Sequence, residues 1–330
     1  MKREKLLQAI EKVKPAVTQT SLTEQSNLIL FDTRTVKSYN DEILIVNPIR
    51  TKIKGAVPAN ELISLLQKMK DDKIEVEQKK NEVEIKGETT KAVIKTSDTS
   101  FPEITTPKKW KNLQEDFIEG MKYCKFSVAE QGNVLSNVLL TKDRIISCDN
   151  YRITEFIMKK ETFIKKKHLI PSSAISALIS HKPIFFSSDK SWLFFRNEEG
   201  ASLCIRKTNE KYPDIESILS EKIKGTKIKL PDELREGLQR TKILSDEDIV
   251  TGNRIVNINI RKNRLTCHGE CAIGRIDETM KIDYKGKDIS FAIVPDFLNE
   301  ILGRTQNMTV GDSSLKFKIK NLVHIIQLIV

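Results

Sequence analysis

The sequence has little that would place it in or across a membrane. Its longest apolar run, residues 322–330, is too short to span a bilayer and contains His324 and Gln327. Six charged residues between Lys2 and Lys12 interrupt any apolar core that a signal peptide would need. We therefore expect a cytoplasmic protein.

Cysteine is also scarce. The five cysteines are odd in number and fall only beyond residue 110, which favours reduced thiols over a disulfide framework. Cys267 and Cys271 flank His268, but cysteines four residues apart lack the paired spacing of a structural zinc site. Because this stretch alternates as a strand does, we expect no metal site there.

No pattern typical of an enzyme is present. The sequence has no Gly-rich phosphate loop, no Gly-x-Ser-x-Gly elbow and no His-Glu-x-x-His pair. Its four histidines are scattered along the chain. Without a cluster of converging reactive groups, we expect a binding protein without a cofactor rather than an enzyme.

What the sequence does contain is a motif that occurs three times. An apolar residue and a proline open a predicted amphipathic helix, and a core-type leucine follows seven residues after the proline. The intervals of 113 and 124 residues between the prolines allow each repeat to bury a core of its own. The three copies are Val57-Pro58 with Leu65, Ile170-Pro171 with Leu178, and Val294-Pro295 with Leu302.

A second motif recurs with nearly the same period. Phe101-Pro102-Glu103-Ile104 is followed 111 residues later by Tyr212-Pro213-Asp214-Ile215. Each copy lies between a predicted strand and a predicted helix, where a domain boundary would fall. The two motifs together predict three related domains, residues 1–110, 111–225 and 226–330.

The positive charge is spread evenly over these predicted domains. The net charge of +11 divides into +4, +4 and +3 in chain order. This distribution suits a polyanion that contacts all three domains alike. A lysine-rich surface that serves solubility explains the charge equally well.

Each predicted domain follows the order helix, strands, helix, strands. This order predicts an α+β fold in which two helices pack on a mostly antiparallel sheet. In the first helix, Leu6 and Ile10 form an apolar face, whereas Lys5 and Lys12 share another face. The first helix of the third domain is predicted to open at Pro231.

The order and spacing of the motifs resemble those of the bacterial-type DNA polymerase sliding clamp, the β clamp, over the whole chain. The segment from Phe101 to Trp110 is similar to the end of the family's first domain, and the segment from Tyr212 to Ile215 to the end of its second. The stretch 149–153 resembles the family's Asp-Gly-x-Arg-Leu turn, and the stretch 242–245 resembles an apolar segment of the third domain.

The resemblance implies three tandem clamp-type domains in each chain and a ring of two chains joined head to tail. It implies that the ring encircles duplex DNA without reading its sequence and tethers a replicative polymerase. The helices would face the DNA, and their basic residues would contact its phosphates. The pore residues expected from helix position are Lys5, Lys12, Lys122, Lys125, Arg235 and Arg304.

The resemblance also implies two protein-binding surfaces. Ile243 and Leu244 would pack across the dimer joint against the region of Phe101. The alternative for both is ordinary packing in the domain core at the end of a helix. A pocket would bind short apolar peptides of the polymerase and the clamp loader. Its expected residues are Leu135, Cys148, Asn150, Tyr151, Arg152, Ile153, Pro213, Ile218, Ile326 and Leu328.

Several positions depart from the family pattern. Asn150 stands where the family has glycine, but asparagine tolerates the left-handed conformation that such a turn requires. Tyr151, Cys148 and Ser217 also depart from common choices, so the peptide preference of the pocket stays open. The alternative function is a clamp-derived monomer that serves as an adaptor or as a competitor for clamp-binding peptides. An enzyme on this scaffold would need a polar pocket that the sequence does not reveal.

Overall fold

Seven α-helices and 23 β-strands form over the described residues of the computed structural model. These residues are 1–18, 25–130, 132–162, 164, 166–221, 223–248 and 252–329. None of the helices in these ranges is long and apolar enough to cross a membrane. The helices are α1 (Arg3–Glu11), α2 (Ala59–Lys68), α3 (Phe117–Cys124), α4 (Ser172–His181), α5 (Glu216–Ser220), α6 (Leu234–Thr241) and α7 (Pro295–Leu302).

The strands are short. In the first half of the chain they are β1 (Leu28–Asp32), β2 (Thr35–Tyr39), β3 (Ile43–Pro48), β4 (Lys54–Pro58), β5 (Glu75–Lys79), β6 (Glu82–Lys86), β7 (Lys91–Lys95), β8 (Lys111–Asn112), β9 (Asn137–Leu140), β10 (Arg144–Cys148) and β11 (Arg152–Ile157). In the second half they are β12 (His168–Pro171), β13 (Phe185–Ser188), β14 (Trp192–Arg196), β15 (Ser202–Arg206), β16 (Thr226–Lys229), β17 (Val256–Arg261), β18 (Arg264–Cys271), β19 (Gly274–Lys281), β20 (Ile289–Ile293), β21 (Asn307–Val310), β22 (Ser314–Ile319) and β23 (Leu322–Gln327).

The contacts of the chain divide it into two compact units, each made of two separate stretches. Unit 1 comprises Met1–Met121 and Lys160–Glu210, and unit 2 comprises Lys122–Lys159 and Lys211–Val330. The division of the sequence into three domains at residues 110 and 225 stays a prediction.

In unit 1 the strands form two antiparallel sheets. The larger has the order β4-β1-β2-β3-β15-β14-β13-β8, and the smaller has the order β5-β6-β7. Strand β3 pairs with β15, so that Val46 lies opposite Ser202. Arg3 of α1 donates from Nε to the carbonyl of Asp71 at 2.9 Å and from Nη1 to that of Leu66 at 2.6 Å, which fastens α1 to the end of α2. The largest fully buried side chains of this unit include Phe31, Phe194 and Phe195.

In unit 2 one sheet contains the strands β9-β10-β11-β23-β22-β21-β16 in that order, and another contains β19-β18-β17-β20. Strand β11 pairs with β23 near the end of the chain, which sets Arg152 opposite Ile326. The apolar alternation of β22 buries Leu315 and Phe317 in this unit. The α+β class predicted from the sequence is confirmed.

The repeated proline motif joins a strand to a helix, but the proline does not always begin the helix. Pro58 and Pro171 are the last residues of β4 and β12 and cap α2 and α4, whereas Pro295 is the first residue of α7. Helix α6 likewise begins at Leu234, three residues after Pro231, because residues 232–233 form a turn first. Of the motif's three leucines, Leu178 and Leu302 are buried and Leu65 is half-buried.

The cysteine and histidine residues of β18 point to opposite faces of its sheet. Cys267 is completely buried, whereas the Nδ1 atom of the neighbouring His268 lies 2.8 Å from a carboxylate oxygen of Asp277. This alternation prevents the two side chains from sharing a metal ion. All five cysteines lie in the described ranges and are free thiols.

Candidate DNA- and partner-binding surfaces

The helices that carry the predicted pore residues bury their apolar sides and expose their basic ones. Leu6 and Ile10 of α1 are fully buried, as is Met121 of α3. Lys5 and Lys122 lie on the exposed sides of these two helices. The other four predicted residues, Lys12, Lys125, Arg235 and Arg304, are exposed as well.

Three of these residues gather in unit 2. The guanidinium carbon of Arg304 lies 5.1 Å from the ring centroid of Tyr123, the residue after Lys122. The Nη1 atom of Arg235 lies 3.8 Å from the position that a Cβ would take on Gly303, the residue before Arg304. Arg304 therefore lies near α3, and Arg235 of α6 lies near the end of α7. We call the exposed basic residues of this region, Lys122, Arg235 and Arg304, the helical basic surface.

The positive charge of this surface is not neutralised locally. Within the described parts of the chain, no carboxylate lies in ion-pair contact with Lys5, Lys122, Lys125, Arg235 or Arg304. Lys12 differs, because its ammonium group forms an ion pair with Glu199. Two more basic residues also form ion pairs: Arg240 of α6 with Glu278, and Lys242, the residue after α6, with Asp296.

The residues of the predicted peptide pocket centre on Arg152. This side chain is only 8% exposed, and its Nε and Nη2 atoms donate to Oδ2 of Asp149 at 2.8 and 2.6 Å. Its Nη1 atom donates to a carboxylate oxygen of Glu300 on α7. The guanidinium carbon lies 3.9 Å from the ring centroid of Phe297, so a buried cation is fully paired.

A tight turn places the residues beside Arg152. Oδ1 of Asp149 accepts the backbone N–H groups of Tyr151 at 3.2 Å and of Arg152 at 2.8 Å. Asn150 has a φ of 73°, the left-handed conformation expected for this position. The turn presents the ring of Tyr151 to that of Phe297, with 6.1 Å between their centroids.

Residues of other segments border the same turn. Cys148 is buried and pairs with Ile153 across the strands β10 and β11, and burial raises the pKa of its thiol. Arg144 of β10 forms an ion pair with Glu216 of α5, which holds α5 beside this sheet. Pro213 and Ile218 are exposed on that segment.

Six of the predicted pocket residues are buried: Leu135, Cys148, Arg152, Ile153, Ile326 and Leu328. Leu135 and Leu328 are each 8% exposed, and Ile326 is completely buried. Ile326 can therefore support the floor of a binding surface but cannot line it. The sequence did not lead us to predict Phe297 and Glu300 at this site. The only indication of them is their position on α7, on the side opposite the buried Leu298, Ile301 and Leu302.

Ile243 is an exposed apolar residue, and Leu244 beside it is half-buried. Ile243 is 65% exposed, and Ile273, at the turn between β18 and β19, is 85% exposed. A Cδ atom of Leu244 lies 3.8 Å from the position that a Cβ would take on Gly274, beside that turn. We call Ile243, Leu244 and Ile273 the apolar patch.

The backbone beneath the apolar patch is fixed. Nη1 of Arg254 donates to the carbonyl groups of Lys242 at 3.0 Å and of Ile243 at 2.8 Å, which satisfies the end of the helical segment. Phe101, in contrast, is buried in unit 1 against Tyr39 and other core residues. Its predicted role at a dimer joint stays a prediction.

No model of a known protein family matches the chain, and no curated protein sequence matches it. Solved structures of DNA polymerase III β subunits do match its fold. The β subunit from Thermotoga maritima is 18% identical with a TM-score of 0.84, and that from Pseudomonas aeruginosa is 16% identical with a TM-score of 0.82. The DNA polymerase sliding clamp from Bacillus subtilis is 13% identical with a TM-score of 0.82. Each match covers 100% of this chain and 98% of the other, so the predicted clamp fold is confirmed over the whole length.

Proposed function

We propose that the protein is a DNA sliding clamp: two chains close head to tail around duplex DNA and tether a DNA polymerase to it. The observation that carries this proposal is the match of the entire chain to the fold of DNA polymerase III β subunits. A binding protein of this kind needs no catalytic group. It acts by keeping a partner at high effective concentration near its site of action.

The helical basic surface supports contact with DNA. Lys122 and Arg235 lie on α3 and α6, Arg304 lies in the turn after α7, and within the described ranges none of the three has a carboxylate partner. Exposed cations of this kind bind phosphates without reading bases, and the contact weakens as salt rises. Loose contact suits a ring that must slide along the duplex.

The apolar patch supports the closing of the ring. Exposed apolar side chains grouped on one surface mark a site that a partner protein covers, and Ile243 and Ile273 are 65% and 85% exposed. Strand β19, which follows Ile273, is the terminal strand of its four-stranded sheet and offers backbone groups beside the patch. In the proposed ring, the patch of each chain meets the region of Phe101 in the other.

The surface around Arg152 supports the binding of polymerase and clamp-loader peptides. Tyr151 and Phe297 provide aromatic faces for apolar side chains, and the Arg152–Asp149–Glu300 network holds both in place. Pro213 and Ile218 would extend this surface. The exposed apolar and aromatic groups suit a short apolar segment more than a charged one.

Retention on a nicked circular duplex tests the proposal. The protein is mixed with DNA at a concentration low enough to separate the chains and is then concentrated, so that rings close around the circle. A clamp stays with the circle during gel filtration at high salt and leaves once the circle is cut. A protein that leaves circular and linear DNA equally fast would not be a closed clamp, and the monomeric adaptor would then replace this proposal.

A further inference from the structure

Unit 1 contains a cavity of about 410 Å³, and none of its lining residues belongs to the surfaces described above. It opens at the end of β13, beside the turn that leads into β14. Its lining comes from four parts of the chain: residues 109 and 111, residues 164, 166 and 168, residues 186–189, and residue 207. The volume is in the range of small-ligand sites.

The lining of this cavity is strongly basic. Lys109, Lys111, Lys166 and Lys207 stand against one carboxylate, that of Asp189, which gives four positive charges minus one, or +3. Oδ1 of Asp189 already accepts the backbone N–H groups of Ser191 at 2.8 Å and of Trp192 at 2.7 Å. Those bonds close a turn, and the carboxylate also acts on Lys207, where it partly offsets the lowering of the pKa by burial.

The positive groups of the cavity act on one another. Burial, together with the charges of Lys207 and Lys166, lowers the pKa of His168 to about 4. Burial also lowers the pKa of Lys207, whose Nζ atom donates to the carbonyl oxygen of Asp189. A bound anion would relieve this repulsion and favour the charged form of each group.

Neutral donors complete the lining. The hydroxyl groups of Ser187 and Ser188 and a ring nitrogen of His168 can donate to oxygen atoms. The ring of Phe186 lies 6.3 Å from that of His168 between centroids, but it is 97% covered and so offers little area for stacking. The cavity therefore provides many groups for an anion and few for an aromatic base.

We propose that this cavity binds a compact ligand with two or three adjacent phosphate groups, such as the polyphosphate end of a nucleotide or an inorganic polyphosphate. Lysines that converge from separate segments suit a dense negative charge held at one point. A strand of DNA would instead suit cations in rows.

Isothermal titration with sodium triphosphate tests the proposal on the full-length protein. The pocket variant combines Lys166→Gln with Lys207→Gln, and the control combines Lys227→Gln with Lys229→Gln, which removes the same charge from another four-lysine cavity. We expect one site per chain in the wild type and the control, and binding at least about tenfold weaker in the pocket variant. Thermal melting checks that both variants are folded.

Two further measurements compare the two sources of phosphate and check that the ligand occupies the cavity. Triphosphate should raise the pKa of His168 in an NMR titration of the wild type, and ATP should bind as triphosphate does. Triphosphate that binds nowhere, or that binds the pocket variant and the control equally well, would overturn the proposal. The proposal would also be overturned if triphosphate does not bind but a single-stranded oligonucleotide does, and if that binding requires Lys166 and Lys207. The cavity would then be a DNA-binding groove.

Discussion

The guanidinium carbon of Arg152 lies 3.9 Å from the centre of the Phe297 ring, although the two residues are 145 positions apart in the sequence. The same guanidinium is held by Asp149, three residues before it, and by Glu300 on α7. The turn at residues 149–152 and the helix α7 are therefore joined through one buried cation. Whatever binds at Tyr151 and Phe297 meets a surface that is already ordered, which lowers the entropy cost of binding.

The first prediction concerns this aromatic face. Phe297→Ala should weaken the binding of a short apolar peptide from the polymerase about tenfold, because it removes both the aromatic contact and the ring that covers Arg152. Fluorescence anisotropy with a labelled peptide measures the effect. Ile157→Ala, at an exposed apolar position on the strand that begins with Arg152, is the control and should bind normally. Equal losses in the two variants would place the peptide elsewhere.

The sequence predicted the turn of this site but not its support. Asp149, Asn150 and Arg152 are neighbours, and the left-handed conformation of Asn150 follows from local chemistry. Phe297 and Glu300 reach Arg152 only because unit 2 packs α7 against the sheet that contains β11. Such a contact depends on tertiary packing, which no local pattern encodes.

The fold was predictable to a similar degree and for the same reason. The apolar patterns of residues 192–196 and 202–206 predict two strands, and β14 and β15 occupy these positions. No such pattern predicts strand β2, because Thr35, Lys37 and Ser38 give its sequence a polar character. The long-range pairing of β3 with β15 has no signature within either strand.

The second prediction concerns the apolar patch. Ile243→Asp combined with Leu244→Asp should leave a folded monomer, because Ile243 is exposed in the single chain and two charges would prevent a partner from covering it. Sedimentation gives the mass, and circular dichroism gives the fold. The control combines Ile157→Asp with Ile184→Asp, at apolar positions that are each 42% exposed, and should keep the mass of the wild type. A double patch variant that stays dimeric would remove these residues from the joint.

The third prediction concerns the helical basic surface. Replacing Lys122, Arg235 and Arg304 by glutamine should reduce the slope of log affinity for duplex DNA against log salt by about 3, since each phosphate contact contributes about 0.9. Binding to a labelled duplex at several salt concentrations gives the slope. Lys227→Gln with Lys229→Gln and Lys318→Gln removes the same charge from the sheet of unit 2. We expect this control to change the slope by less than the value of about 0.9 that one phosphate contact contributes. A decrease as large as that of the helical variant would mean that DNA does not prefer the helices.

The fourth prediction concerns acid stability. His324 is completely buried, its Nδ1 atom lies 2.9 Å from Oγ1 of Thr154, and burial lowers its pKa to about 3. Because the unfolded pKa is near 6.5, the stability that the neutral ring contributes is complete above that pH and is lost as the pH falls towards 3. Between pH 7.5 and pH 5 this loss should be about 2 kcal/mol.

Urea unfolding at the two pH values measures this effect. His324→Gln lacks the titrating ring, so its free energy of unfolding should fall by about 2 kcal/mol less than that of the wild type over the same interval. The comparison within each protein cancels any destabilisation that the substitution itself causes. Identical pH dependence in the two proteins would show that His324 does not titrate as its burial requires.

The molar mass of the wild-type protein in solution tests the proposed ring most directly. Light scattering across a dilution series should give a mass of twice 37.7 kDa that persists into the micromolar range. That result would agree with two chains joined through the apolar patch and would justify the retention assay on circular DNA. A stable mass of 37.7 kDa at micromolar concentration would contradict the two-chain ring.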